Sequence, residues 1–323
     1  MGSLAPFVSI VIPVFNEERY IAECLNSVGN LNYPAERLEV ILVDNGSTDR
    51  TLEIARNYPI RILVKEYVKV GAVRNYGVSH ARGEIIVFLD SDCVVEPAWL
   101  EEGVKKLSDE TKLVLGGQYL MRDNPSWLER YWVLSNSRTQ VYQTTLVGGC
   151  IFIHKSMFES VNGFDESLNS GEDSDLTNRL RQQGVTVTID PSLSVVHLGY
   201  PSDVSAFIKR QAWHSADYVS KLPGSLKDKI FLLSSTFLLG IVSSVFSLLL
   251  FPNILILCLP LLIAPPAILS FKRVKRSKTT LRGIFDYFSV YCVDVLYLTG
   301  RSIGILKGIR NLIFVPAYKE ARR

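Results

Sequence analysis

Glu84-Ile85-Ile86-Val87-Phe88-Leu89-Asp90-Ser91-Asp92 holds an unbroken apolar run, residues 85–89, followed by two carboxylates with one residue between them. Its branched and aromatic side chains fit a strand covered on both faces, as in a parallel sheet flanked by helices. Asp90-Ser91-Asp92 then falls on the turn leaving that strand. Toward the N-terminus the same rhythm recurs: residues 8–14, 38–43 and 60–64 read as strands, and 17–28, 49–57 and 72–81 as helices. The alternation predicts an α/β fold. Asn16 and Ser47 are the expected N-caps of the first two helices. Toward the C-terminus the pattern turns mixed, with a helix over 97–107, strands over 113–119 and 146–153, and a helix over 173–183. Three of the early strands end in short polar clusters, Asn16-Glu17-Glu18, Asp44-Asn45-Gly46-Ser47 and Asp90-Ser91-Asp92. In open sheets of this kind the carboxyl ends of the strands form the edge where ligands bind.

The chain has 323 residues and is 47 % hydrophobic, but the apolar residues are unevenly spread. Charges punctuate the sequence as far as Lys229 and then vanish until Lys272. Residues 230–251 and 253–271 are two uncharged runs, each long enough to cross a hydrocarbon core of about 30 Å. With Pro252 and Asn253 at the turn they read as a transmembrane hairpin; a buried core hairpin is the alternative. Lys227 and Lys229 flank one end, and Lys272-Arg273-Val274-Lys275-Arg276-Ser277-Lys278 the other, so both flanks lie on one side of the membrane. By the positive-inside tendency that side is the cytoplasm, and the α/β region shares it. Beyond the basic cluster, residues 281–315 form an apolar helix on which Arg282, Asp286, Asp294 and Arg301 fall within one sector. Such a helix suits the membrane interface, with a third crossing as the rival. The expected division is a catalytic domain over 1–225 and a membrane region over 226–323. A net charge of +3 gives no reason to expect a nucleic-acid partner. The five cysteines are scattered and contain no C-x-x-C pair, which suggests neither a disulfide framework nor a zinc site. No basic stretch precedes the first strand, so no cleaved signal peptide is read there.

Two carboxylates at i and i+2 on a turn can both face a hard divalent cation, with diphosphate oxygens completing its shell. An Asp-Ser-Asp turn alone is also ordinary loop chemistry. Four further pieces give it a context: Val8-Ser9-Ile10-Val11-Ile12-Pro13-Val14-Phe15-Asn16-Glu17, Val43-Asp44-Asn45-Gly46-Ser47-Thr48-Asp49, Gly71-Ala72-Val73-Arg74-Asn75 and Gly171-Glu172-Asp173-Ser174-Asp175-Leu176. With Phe88-Leu89-Asp90-Ser91-Asp92 they stand in the order found in the family 2 glycosyltransferases of the GT-A fold, which the chain resembles over residues 7–218.

The resemblance implies a GT-A domain, a Rossmann-like mixed sheet of the nucleotide-diphospho-sugar transferases, ahead of the membrane hairpin. It implies a nucleotide-diphospho-sugar donor and a divalent metal, Mn2+ or Mg2+. Pro13, Phe15 and Glu17 match positions lining the nucleotide pocket, and Asp44 matches the carboxylate that accepts a hydrogen bond from the donor's base. Arg74, Asp90 and Ser91 match positions beside the donor. Asp90 and Asp92 match metal ligands, joined by His197 from Val195-Val196-His197-Leu198. Glu172-Asp173 resembles the family's E-D pair, in which the aspartate is the general base that deprotonates the acceptor hydroxyl, so that direct displacement inverts the anomeric centre. Gly148 and Gly149 resemble the small-residue strand facing the acceptor. Trp213, in Lys209-Arg210-Gln211-Ala212-Trp213, stands where processive synthases carry Q-x-x-R-W; the segment departs from that pattern, and Trp213 is either an acceptor-stacking residue or part of an amphipathic helix. The residues alone leave other readings open: an Asx-turn for Asp44, a solvated charge for Arg74, helix capping for Asp173, a core histidine for His197.

The expected function is an inverting, metal-dependent transfer of a sugar to a membrane-associated acceptor, a polyprenyl-phosphate or lipid-linked saccharide, in the building of cell-envelope polysaccharide. A processive polysaccharide synthase subunit, which would need oligomers to form a channel, and a catalytically silent membrane scaffold are the alternatives.

Overall fold

The computed structural model describes residues 5–107, 112–134, 143–277, 279 and 281–320, without the side chains of 254 and 314–320. Lys278 of the basic cluster lies outside the described residues. The chain separates into two compact units, Met1–Arg122 with Asn136–Gly199, and Asp123–Ser135 with Tyr200–Arg323.

In the first unit, strands β1 (Val8–Val14), β2 (Leu38–Asp44), β3 (Arg61–Val64) and β4 (Ile85–Leu89) alternate with helices α1 (Ile21–Gly29), α2 (Thr51–Ala55) and α3 (Val70–Ser79). Then come β5 (Cys93–Val94), α4 (Trp99–Leu107), β6 (Leu113–Gly116) and β7 (Tyr119–Met121). Helix α5 (Trp127–Val133) belongs to the second unit, and the first resumes with β8 (Cys150–His154), α6 (Lys155–Ser160), α7 (Glu172–Gln182), β9 (Thr186–Ile189) and β10 (Val195–His197). The main sheet has seven strands in the order β3-β2-β1-β4-β8-β6-β9, and a second sheet has the order β5-β10-β7. Every residue of β1 and of β4 is buried, because apolar clusters pack on both faces of the sheet.

The sheet is parallel from β3 to β4, whereas β8 runs antiparallel to both β4 and β6. That reversal matters for the site. Leu89 at the end of β4 pairs with Cys150 at the start of β8, so Gly148 and Gly149 arrive at the rim where Asp90 leaves the sheet. In the small sheet, His197 lies opposite Cys93, and Leu198 N–H donates to the Asp92 carbonyl at 2.8 Å. A histidine 105 positions farther along the chain is thereby brought beside the D-x-D turn.

Several local expectations shift. Asn16 does not cap α1: it sits at φ 55°, its side-chain oxygen accepts from Thr48 N–H at 2.8 Å, and α1 starts only at Ile21. Ser47 does not cap α2 either, since its hydroxyl accepts from Asn16 N–H at 2.9 Å. Both side chains tie the β1 and β2 exits together rather than starting helices. The single strand expected over 113–119 is two strands in different sheets, parted at Gly117. A Cβ on Gly117 would lie 2.2 Å from the Leu193 carbonyl oxygen, so the crossing from one sheet to the other requires glycine there.

The second unit contains α5, α8 (Val204–Ser215), α9 (Lys229–Leu250), α10 (Leu255–Ser277) and α11 (Ile284–Glu320). Three of its helices are long and apolar enough to cross a membrane: Lys229–Leu250, Leu255–Ser277 and Ile284–Ile313. Helix α10 runs six residues past the expected end at 271 and carries Pro260, Pro265 and Pro266 within it. Helices α9 and α10 pack closely, with Gly240 against Leu261. The segment around Trp213 is indeed a helix, and it lies along α11. Gly300, Gly304 and Gly308 form a small-residue stripe on which an added Cβ would strike Gln211, Ser215 or the carbonyls of Ile208, Ala212 and Ala216.

The two carboxylates of the polar sector are turned inward, whereas Arg282 is exposed ahead of α11. Asp294 is fully buried, accepts from Ser270 Oγ at 2.7 Å and pairs with Arg273; Asp286 accepts from Tyr131 Oη at 2.7 Å. Arg273 also donates to the carbonyls of Tyr131 and Trp132, at 2.6 Å for Tyr131, and its guanidinium lies over the Trp132 ring at 4.7 Å. A buried carboxylate is costly unless it is paired in this way.

Candidate active site

Arg74 is the hub of the rim. It projects from α3, is 3 % exposed, and its fork divides between two carboxylates: Nη2 donates to Asp90 Oδ1 at 2.7 Å and Nη1 to Glu172 Oε1 at 2.7 Å. One guanidinium therefore joins the turn after β4 to the first turn of α7. Burial disfavours the guanidinium charge, but Asp90 and Glu172 outweigh it and hold Arg74 protonated. Asp90 is lowered in turn: burial opposes its charge, while Arg74 and the hydroxyl of Tyr119 prevail.

Tyr119 belongs to the site without any motif to announce it. Its hydroxyl donates to Asp90 Oδ2 at 2.6 Å and accepts from Gly149 N–H at 3.0 Å, and its ring lies 4.7 Å from that of His197. Nothing in Gly116-Gly117-Gln118-Tyr119 marks it, since its partners Asp90, Gly149 and His197 come from three other segments. Gly148 and Gly149 make room in a different sense from the one expected. A Cβ at Gly148 would stand 2.4 Å from Arg74 Nη2, and one at Gly149 2.5 Å from Asp90 Oδ2. What the small residues admit in this structure is the guanidinium and the carboxylate.

Asp173 sits at the start of α7 beside Glu172. Its Oδ2 accepts from Gly148 N–H at 3.3 Å and its Oδ1 from Ser174 N–H at 2.6 Å. Burial first, and the neighbouring Glu172 second, raise its pKa above the usual carboxylate value. Glu172, Asp173 and Asp175 all lie in the first helical turn, where the helix dipole favours negative charge.

Asp92 and His197 form a second pair, with Nε2 3.2 Å from Oδ2. Two ligands on adjacent corners of an octahedral cation, each at about 2.1 Å, stand roughly 3 Å apart, so this spacing suits a shared divalent ion. Gly199 crowds the same carboxylate: a Cβ there would meet Asp92 Oδ2 at 1.9 Å. Asp90 has both oxygens engaged by Arg74 and Tyr119, and among the described residues no three His, Cys, Asp or Glu side chains close on one point.

Of the donor-side residues, Asp44 is 1 % exposed and its carboxylate accepts from Gly46 N–H at 3.0 Å and Ser47 N–H at 3.1 Å, which is the Asx-turn arrangement. Pro13 is buried within β1, Phe15 is 52 % exposed just beyond it, and Glu17 N–H donates to Thr51 Oγ1 at 2.8 Å. Ser91 is buried between the two aspartates. Trp213 lies on α8 of the second unit with 59 % of its surface exposed. All five cysteines are free; burial raises the thiols of Cys24, Cys93 and Cys150, which lie under the rim, and leaves them unreactive.

A glycosyl transferase family 2 profile matches residues 9–163, and a profile described as the N-terminal domain of galactosyltransferase matches 129–198. Glycosyltransferase AglE of Haloferax volcanii is 34 % identical over 216 residues, which cover 62 % of this chain and 70 % of that protein. The dolichyl N-acetyl-alpha-D-glucosaminyl phosphate 3-beta-D-2,3-diacetamido-2,3-dideoxy-beta-D-glucuronosyltransferase of Methanococcus voltae is 26 % identical over 238 residues, covering 65 % of this chain and 72 % of that one. The structure of the mannosyltransferase PcManGT from Pyrobaculum calidifontis, in complex with GDP-Man and Mn2+, superposes with a TM-score of 0.58 at 19 % identity, over 94 % of this chain and 88 % of that one. At that identity the likeness shows a common fold.

Proposed function

The chain belongs to the family 2 glycosyltransferases and takes its sugar from a nucleotide-sugar donor, and from that premise we propose an inverting transfer to a lipid-linked acceptor, with Asp173 as the base. The observation that carries this reading is the Arg74 bridge. By holding Asp90 and Glu172 at 2.7 Å each, it fixes the donor-side turn against the helix that presents Asp173. The positions of a leaving diphosphate and an attacking hydroxyl are thereby coupled.

Asp173 takes the proton of the acceptor hydroxyl. Its raised pKa brings it closer to the range in which a carboxylate is an effective base, and Gly148 N–H orients the oxygen that is not held by Ser174. Glu172 accepts from Arg74 Nη1 at 2.7 Å and keeps α7 in place. Asp92 and His197, with Asp90 adjoining, would hold a divalent Mn2+ or Mg2+, whose chemistry when bound is to neutralise the departing diphosphate. Asp44 would accept from the donor base with the lone pairs left by the Asx-turn; Pro13, Phe15, Glu17 and Ser91 would line the donor. Gly148 and Gly149 are the acceptor-side residues of the first unit, and Trp213, exposed on α8 of the second, is proposed separately as a residue that stacks on an acceptor sugar. Mn2+ is present in the solved PcManGT complex, and the acceptor in the name of the Methanococcus voltae relative is a dolichyl phosphate saccharide; both support the reading by similarity.

The membrane region over 226–323 would anchor a catalytic domain over 1–225 on the cytoplasmic face. Within it, α11 is best read as lying across the base of the hairpin. Its polar contacts fall on Ser234 of α9 and on Ser270 and Arg273 of α10, all near the charged flanks. Ile284, Phe285 and Phe288 at its start are 64–82 % exposed, as befits residues dipping into the headgroup layer.

The test uses the purified full chain with a panel of nucleotide sugars, Mn2+ or Mg2+, and membrane lipid extract as acceptor. Asp173→Asn keeps donor binding and loses transfer by about 10²- to 10⁴-fold. Equal loss of donor binding and transfer would move Asp173 into the donor site and end its assignment as base.

A further inference from the structure

Between α10 and α11 lies an open groove of about 430 Å³, walled by Ala267, Phe271, Val274 and Val290, with Tyr287, Tyr291 and Lys275 around it. From this geometry we propose that the groove seats one acyl chain of an anionic glycerophospholipid, with the headgroup phosphate at Lys275. The proposal rests on the membrane insertion proposed above.

Three observations converge. The groove follows α10 from Ala267 to Lys275, eight residues or about 12 Å of helix rise, against about 15 Å for one leaflet of a hydrocarbon core roughly 30 Å thick. An acyl chain lying along it would span most of a leaflet, ending where the basic cluster begins. Lys275 is exposed and makes no ion pair among the described residues, whereas Arg273, two residues earlier, is committed to Asp294. An unpaired ammonium at the mouth of an apolar trough calls for an anion with a hydrocarbon tail. Finally, tyrosines at this depth are the side chains that favour the headgroup level, one end apolar and the other wet. Ser270, on the groove wall, already donates to Asp294 and so adds no polar demand inside. Basic pockets between helices on the cytoplasmic side are suited to phosphate headgroups.

The experiment takes the full chain in detergent, adds phosphatidylglycerol or phosphatidylcholine, and counts retained lipid by native mass spectrometry. Wild type keeps one phosphatidylglycerol in preference to phosphatidylcholine. Lys275→Gln lowers that preference about fivefold, the factor corresponding to one lysine near an anionic surface, whereas Lys272→Gln, outside the groove, leaves most of it. Ala267→Phe, which fills the groove, lowers retention of both lipids. No preference in wild type, equal effects of the two lysine changes, or preferential capture of a polyprenyl phosphate added in competition would each overturn the assignment. Extraction of cell membranes with alkaline carbonate separates the two levels. A chain that is released was never inserted, which sinks the membrane reading; a chain that stays but shows no lipid preference sinks the seat alone.

Discussion

Arg74→Lys keeps the positive charge at the rim and removes the fork. A lysine ammonium is a single point of donation, so it can satisfy Asp90 or Glu172 at 2.7 Å but not hold both as the two guanidinium nitrogens do. One charge-assisted hydrogen bond is lost, worth about 1.5–3 kcal/mol. At about 1.36 kcal/mol per tenfold in rate, kcat/KM should fall by roughly one to two orders of magnitude. Gly148 sharpens the expectation, because the space beside Arg74 Nη2 is too tight for a Cβ and the pocket is shaped to a planar group. A second readout follows from electrostatics. Arg74 is one of the charges that lower Asp173, acting against burial and Glu172. With the cation moved away, Asp173 protonates more readily and the acid limb of the rate profile shifts to higher pH. The assay is steady-state transfer by the full chain in detergent across a pH series, with donor affinity measured separately. A variant within about twofold of wild type, with its acid limb unmoved, would show that the bridge is packing alone and plays no part in the reaction.

The remaining expectations concern the base and the membrane unit. In wild type the raised pKa of Asp173 means that, at a given acidic pH, more of it is protonated and unable to accept a proton; transfer should therefore fall on acidification with a midpoint above the ordinary aspartate value of about 3.9, and a midpoint at or below that value contradicts the assignment. Gly304→Leu should part α11 from α8, since even a Cβ there meets Ser215 Oγ at 2.0 Å; a lower Tm of the detergent-solubilised chain is expected, and an unchanged one refutes the close packing. Arg273→Met leaves Asp294 buried without its cation and should cost about 3–5 kcal/mol, most of it recovered in Arg273→Met/Asp294→Leu; a double variant as unstable as the single would show that Arg273 works mainly through the Tyr131 and Trp132 carbonyls.

Much of the fold was legible because its signals are local. Seven successive buried residues in β1 and five in β4 leave no alternation to mistake for a half-exposed strand, and the polar cluster after each fixes the edge where ligands bind. The uncharged runs after Lys229 likewise need only counting. The helix starts depart from the capping pattern because Asn16 and Ser47 are spent on each other's loops, a tertiary use of side chains whose local preference is for capping. The course of α11 is a harder case. Its charges at 286 and 294 read equally as a wet face or as an intramembrane polar face, and only the presence of Tyr131 and Arg273 decides that they turn inward.

The site divides along the same line. Asp90 with Asp92 and Glu172 with Asp173 lie within two positions of each other, and such closeness along the chain is what a motif records. The connection between the pairs is not adjacent at all: Arg74 reaches Glu172 across 98 positions and Asp90 across 16, and Tyr119 closes the other side of Asp90 from a strand in another sheet. The antiparallel turn of β8 is what makes these approaches possible, by delivering two residues without side chains to the point where a guanidinium and a carboxylate must pass. The D-x-D turn is thus held as one part of a frame whose other part carries the base. In such a frame, loosening any one strut should affect donor and acceptor steps together, whereas removing the base itself should affect transfer alone. That contrast between Arg74→Lys and Asp173→Asn separates a rigid two-sided site from two sites that merely share a rim.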